Sequence, residues 1–143
     1  VASVVIDPSA LRELLYSPQG PVYRDIRDQT NNVRNRALAL CPVNNGRLRA
    51  SITGQVLSEQ TGPVGRVGTN VEYALFVHEG TGIYGPKGAP YTIVPRRRKA
   101  LAFVWKGAPI PPNGRGGRHV YKRVTIKGTK PKPFLRDALQ AVQ

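Results

Sequence analysis

Few residues in this chain can do bond-making chemistry: His78, His119, Cys41 and eight acids among 143 residues. His78-Glu79 has the opening of a zinc-protease helix, in which a second His must follow four residues later to share the metal. Position 82 is Gly, so that site is not built. Two His and one Cys without other spaced ligands assemble no metal cluster. Glu72 and Glu79 are the acids closest to forming a pair, and salt bridging or helix-end capping explains them better than acid–base catalysis. Gly80-Thr81-Gly82 and Gly114-Arg115-Gly116-Gly117 lack the strand, Lys and Ser/Thr that surround a phosphate loop and read as turns. Cys41 precedes the helix-ending Pro42 and reads as a small buried residue rather than a nucleophile. The expectation is no enzyme, no metal and no cofactor.

Charge is the more informative chemistry. The net charge is +14, and its imbalance lies in the second half: fourteen Lys or Arg and no acid fall between Gly80 and Arg136, whereas residues 1–79 hold eight Arg against seven acids. Arg96, Arg97, Arg98 and Lys99 follow Pro95 and precede an apolar island, which places four cations at the mouth of a strand. Arg115, Arg118, Lys122 and Arg123 add to them. If the two groups share a surface, it can neutralise phosphates, with binding that weakens steeply in salt. An acidic rim on a neighbouring protein is the other partner, and a solvated basic face the plainer reading. Tyr84, Tyr91 and Tyr121 are the aromatics near the basic stretch, too few for sequence-specific base reading.

The elements that must position these residues follow from periodicity. Pro8–Tyr16 reads as a short helix with Leu11, Leu14 and Leu15 on one side, ended by Ser17-Pro18-Gln19-Gly20. Pro21 suits the first turn of a longer helix, whose apolar side is Val22, Ile26, Val33, Ala37 and Leu40. Pro42 closes it by disfavouring helical geometry at Cys41. After the Asn44-Asn45-Gly46 turn, Leu48, Ala50, Ile52, Gly54 and Val56 alternate with polar residues and predict a half-buried strand. Thr61-Gly62-Pro63 turns the chain into a second strand, Val64–Gly68, paired as a hairpin. Tyr73–His78 is ambiguous between strand and helical turn. Between Gly80 and Gly117, Ala100–Trp105 reads as a buried strand and its flanks as loops. Val120, Val124 and Ile126 predict another strand, and Pro133 begins a last helix with Phe134, Leu135, Ala138, Leu139 and Val142 in one stripe.

This order predicts an α+β fold: an antiparallel sheet packed with a long N-terminal helix and a C-terminal helix, with long Gly/Pro-rich loops. The length fits one domain, 1–143, with 80–118 as an extended basic loop or assembly arm. A single cysteine excludes an intramolecular disulfide and fits a reducing compartment. No segment approaches the length of a membrane span, so a soluble protein is expected. Val1 and the absence of Met suggest a removed initiator.

Three segments carry a resemblance. They are Pro42-Val43-Asn44-Asn45-Gly46-Arg47-Leu48-Arg49-Ala50-Ser51-Ile52, then Val67–Ala74 leading to Val77-His78-Glu79-Gly80-Thr81-Gly82, then Gly128-Thr129-Lys130-Pro131-Lys132-Pro133-Phe134-Leu135-Arg136-Asp137-Ala138-Leu139. In order and spacing they resemble the tail-component or head–tail connector family of lambdoid and actinobacterial siphophages, small minor-tail or neck proteins. The likeness covers roughly Pro21 to Leu139. Asn44-Asn45 stands where an acid and Thr are often seen, and His78 where another residue is usual.

The resemblance implies a structural virion protein, assembled in the host cytoplasm and located at the head–tail junction. It implies a homo-oligomeric ring, sixfold by analogy with a tail, between a head-side adaptor or stopper and a tail terminator or tail tube protein. Double-stranded DNA passes through the lumen, and no membrane is involved. Connector, tail-completion and terminator roles stay open, as does which loops face the lumen. A ring needs one face of a subunit to meet a different face of the next, and long Gly/Pro loops can drape across such neighbours. On that reading, deleting Pro109–Gly117 abolishes particle joining without unfolding the domain. The alternative is a stand-alone basic nucleic-acid-binding module, which needs no protein neighbour.

Overall fold

The computed structural model describes residues 5–104 and 118–142. They form two compact units: the chain up to His78 together with Lys132 onward, and the segment Glu79–Pro131.

The first unit opens with α1 (Pro8–Tyr16). Asp7 caps it, its carboxylate accepting from the Ser9 N–H at 2.9 Å and the Ser9 hydroxyl at 2.5 Å, so a donor left over by the first turn is satisfied. α2 (Pro21–Leu40) starts on a proline and stops where Cys41, preceding Pro42, turns extended with ψ 126°. Its inward side is Thr30, Val33 and Ala37. The Thr30 hydroxyl is accommodated by donating to the Ile26 carbonyl at 2.6 Å.

The structure corrects the strand expected from Leu48. Arg47–Ala50 is instead a helical turn, α3, entered through Gly46 at φ 79°. Leu48 and Ile52 are four apart, a spacing that serves a helical turn as well as a strand. Local bonds decide for the turn: Asn45 Oδ1 accepts from the Arg47 N–H at 3.2 Å, and the Ser51 hydroxyl donates to the Leu48 carbonyl at 2.7 Å. The strand β1 (Thr53–Glu59) begins only afterwards and pairs antiparallel with β2 (Gly62–Gly68), in register from Thr53↔Gly68 to Glu59↔Gly62. The ambiguous apolar run is helix α4 (Ala74–Glu79), and α5 (Phe134–Gln140) follows Pro133.

One apolar cluster unites these pieces: Val33, Ala37, Cys41, Leu48, Ile52, Ala74, Phe134 and Ala138. α2 packs on both strands of the hairpin and on α5. Phe134 is 2% exposed and Ile52 1%, each burial stabilising by roughly 1.5–3 kcal/mol.

Among its described residues the second unit holds a 3-10 turn (Gly82–Tyr84) and four three-residue strands: β3 (Tyr91–Ile93), β4 (Leu101–Phe103), β5 (His119–Tyr121) and β6 (Val124–Ile126). β4 pairs with β5 inside the outer pair of β3 with β6, both antiparallel. The fold is α+β, with the strands of the described residues joined as three two-stranded ribbons. Three expectations are corrected. The apolar island forms a strand only over Leu101–Phe103, and Leu101 and Phe103 are half-buried while Ala102 and Val104 are exposed. Trp105 lies outside the described residues, as does Pro109–Gly117. Tyr91–Ile93, within a stretch expected to be loop, is a strand, and Val120–Ile126 is two strands broken at Lys122-Arg123.

Candidate nucleic-acid or subunit interface

Pro95 closes the approach from β3, and Arg96, Arg97, Arg98 and Lys99 form an exposed, bent segment leading into β4. The ribbon register brings part of the second basic group to them. Leu101 pairs with Tyr121, so Lys99, just before β4, and Lys122-Arg123, just after β5, leave the ribbon at the same end. Arg118 joins Arg96, Arg97 and Arg98 in lining an open groove of about 410 Å³, with Ala100 and Ala102 among its other walls. Arg118, Lys122 and Arg123 are all exposed. Seven of the eight cations singled out in the sequence thus lie on or beside one short ribbon; Arg115 lies outside the described residues.

The ribbon's two faces differ, because side chains alternate along a strand. Phe103 and His119 face each other across the pair with ring centroids 5.9 Å apart and 19° between planes, and Tyr121 continues the row 6.4 Å from His119. His119 is 3% exposed. Ala102 and Val120 form the opposite face. The groove takes Ala102 from this face and Leu101 from the aromatic one. Sequence periodicity missed this cluster because His119 lies outside the apolar run that signalled the strand.

Residues 79–131 contain twelve Lys or Arg and one acid, Glu79. In the first unit, ion pairs join Arg27 to Asp28 at 3.8 Å and Arg66 to Glu59. Lys130 lies over the Tyr84 ring, 6.0 Å from its centroid.

The first unit carries a second feature that the sequence did not announce: an open, mainly apolar groove of about 940 Å³. Ile26, Val33, Val67, Leu75, Leu135 and Leu139 contribute its apolar lining, with Glu72, His78 and Arg136 among the polar groups. Leu75 is 63% exposed and Leu139 51%.

The three segments quoted from the sequence meet within the two units. In the first, Ser51 Oγ and Thr69 Oγ1 are 2.6 Å apart, the Lys132 N–H donates to the Val77 carbonyl at 2.9 Å, and His78 meets the edge of Phe134 with centroids 5.8 Å apart. In the second, Gly80-Thr81-Gly82 runs against Lys127-Gly128-Thr129, the Ile83 N–H donating to the Lys127 carbonyl at 2.8 Å. Gly82 (φ 65°) and Gly128 (φ 107°) allow this: a side chain on either would collide with the opposite backbone, at Lys127 and Thr81 respectively. Glycine is needed there for both conformation and space.

Among the described residues, no group of three His, Cys, Asp or Glu could hold a metal ion. No helix among them is long and apolar enough to cross a membrane. No family model matches the sequence, and neither curated proteins nor solved structures give a match.

Proposed function

We propose that the protein is a non-enzymatic structural subunit of the bacteriophage neck, forming a ring that joins the DNA-filled head to the tail. The observation that carries this reading is the uncovered apolar groove of the first unit, about 940 Å³ with Leu75 and Leu139 on its wall. A continuous apolar surface left open by the fold is characteristic of a site that another protein covers. In a ring, the neighbouring subunit would cover it through a different face of its own. The resemblance adds support because its separated segments supply much of one core: Leu48 and Ile52 from the first, Ala74 from the second, Phe134 and Ala138 from the third. On this reading the ring partners are a head-side adaptor or stopper and a tail terminator or tube protein.

A second reading, a stand-alone basic nucleic-acid-binding module, draws on the exposed cations of the second unit. It requires no protein neighbour. Immunogold electron microscopy on virions, with an antibody against the purified chain, separates the two. Gold at the head–tail junction supports the neck reading; complete virions without label, and the protein free in the lysate, reject it.

A further inference from the structure

We infer that the groove on the β4–β5 ribbon is a contact surface for the phosphate backbone of double-stranded DNA, read without regard to sequence. The inference deepens the neck reading, resting on it only for the DNA that the protein would meet. Arg96, Arg97, Arg98 and Arg118 line one groove, and Lys99, Lys122 and Arg123 lie at one end of the same ribbon. A three-residue strand spans roughly 10 Å, and a duplex presents one phosphate about every 3.4 Å along each strand. A cluster of this size therefore meets several phosphates at once.

Three observations select the duplex. Residues 79–131 offer one carboxylate against twelve Lys or Arg, so the cluster calls for an anion from outside its own unit. A second copy is not a net-acidic partner, because the first unit's sequence also holds more cations than acids, ten against seven. Single strands are bound by stacking bases on aromatic faces, but the residues that line this groove include no aromatic, and Phe103, His119 and Tyr121 stack among themselves on the face opposite Ala102. Four arginine side chains set among Pro95, Ala100, Leu101 and Ala102 match the backbone phosphates of a duplex, contacts that carry no sequence information.

The test is fluorescence anisotropy of the full chain with a labelled duplex of about 30 base pairs, in salt from about 50 to about 200 mM. With about five phosphates neutralised, affinity falls ~500-fold over that range, and a duplex of unrelated sequence binds equally well. R96A/R97A/R98A lowers the salt slope by about three and K122A/R123A by about two. R12A/R24A, in the first unit, leaves the slope unchanged, and circular dichroism confirms that every variant is folded. An unchanged slope in R96A/R97A/R98A would overturn the inference. So would polyglutamate competing as well as unlabelled duplex at equal charge, which would point to an acidic protein surface. Failure here with gold at the head–tail junction sinks this inference alone; duplex binding with no gold on virions sinks the neck reading alone.

Discussion

Thr81 and Thr129, 48 positions apart in sequence, hold each other through three contacts of 3.0 Å: the Thr81 N–H donates to the Thr129 carbonyl, the Thr129 N–H donates to Thr81 Oγ1, and the two hydroxyls meet. The Thr81 hydroxyl thus completes what backbone pairing alone would leave half made. Thr81→Val removes two of the three contacts and should destabilise the second unit by about 1 kcal/mol, while Thr81→Ser retains them. Denaturant titration followed by hydrogen exchange at residues 81–84 and 127–129 checks this.

Gly128→Ala should cost more than about 2 kcal/mol, because the methyl group adds a collision with the Thr81 backbone to an unfavourable positive φ. Gly46→Ala provides the comparison: φ is 79° there, but nothing lies within 4 Å of the added carbon. Only the conformational cost of about 1–2 kcal/mol remains. Equal losses in the two variants, measured by urea denaturation, would contradict the steric account.

Phe134→Ala should destabilise the first unit by about 3–5 kcal/mol, the cost of emptying a core site. Leu75→Ser should shift stability by no more than about 0.5 kcal/mol, since Leu75 is largely exposed. If the groove is where a neighbour docks, L75S still impairs head–tail joining in a complementation assay. Normal joining by the folded variant would argue against that docking site.

Asp7 sits below the ordinary carboxylate value of 3.8, chiefly through the Ser9 hydroxyl and then the Ser9 N–H. A depressed folded-state pKa means that the contribution is present above the unfolded value and is lost as pH falls through the folded one. α1 should therefore fray from its N-terminus only below about pH 4, and Asp7→Ala should fray it at neutral pH. NMR chemical shifts of Ser9–Leu11 report both effects.

Burial raises the pKa of the Cys41 thiol, and the charge of Arg49 only partly opposes it. Since the thiolate is the reactive form, Cys41 in the folded protein should react with a maleimide at pH 8 far more slowly than in the denatured chain. Comparable rates would show that the site opens readily.

The helices were legible because their signals are local and redundant. Pro21, the apolar spacing through Ala37 and Pro42 all agree on α2, and Pro133 with Phe134 and Ala138 marks α5. Leu48 and Ile52 misled because a four-residue interval belongs to both periodicities, and the deciding bonds come from Asn45 and Ser51. The basic residues were legible as a list, but their assembly was not. It depends on the pairing of Leu101 with Tyr121, a contact between short strands that composition does not encode. The groove beside Leu75 was hidden for a similar reason: it is made by elements from both ends of the chain.

The chain departs for the second unit after His78 and returns at Lys132, and at both stages outgoing and incoming backbones are bonded, Val77 to Lys132 and Thr81 to Thr129. In topological terms residues 79–131 are an insertion closed by its own stem. Because loop-closure entropy grows only slowly with length, such an insertion can be lengthened, trimmed or exchanged while α4 and α5 keep the same junction. The scaffold and the surface it displays are thus free to diversify at different rates.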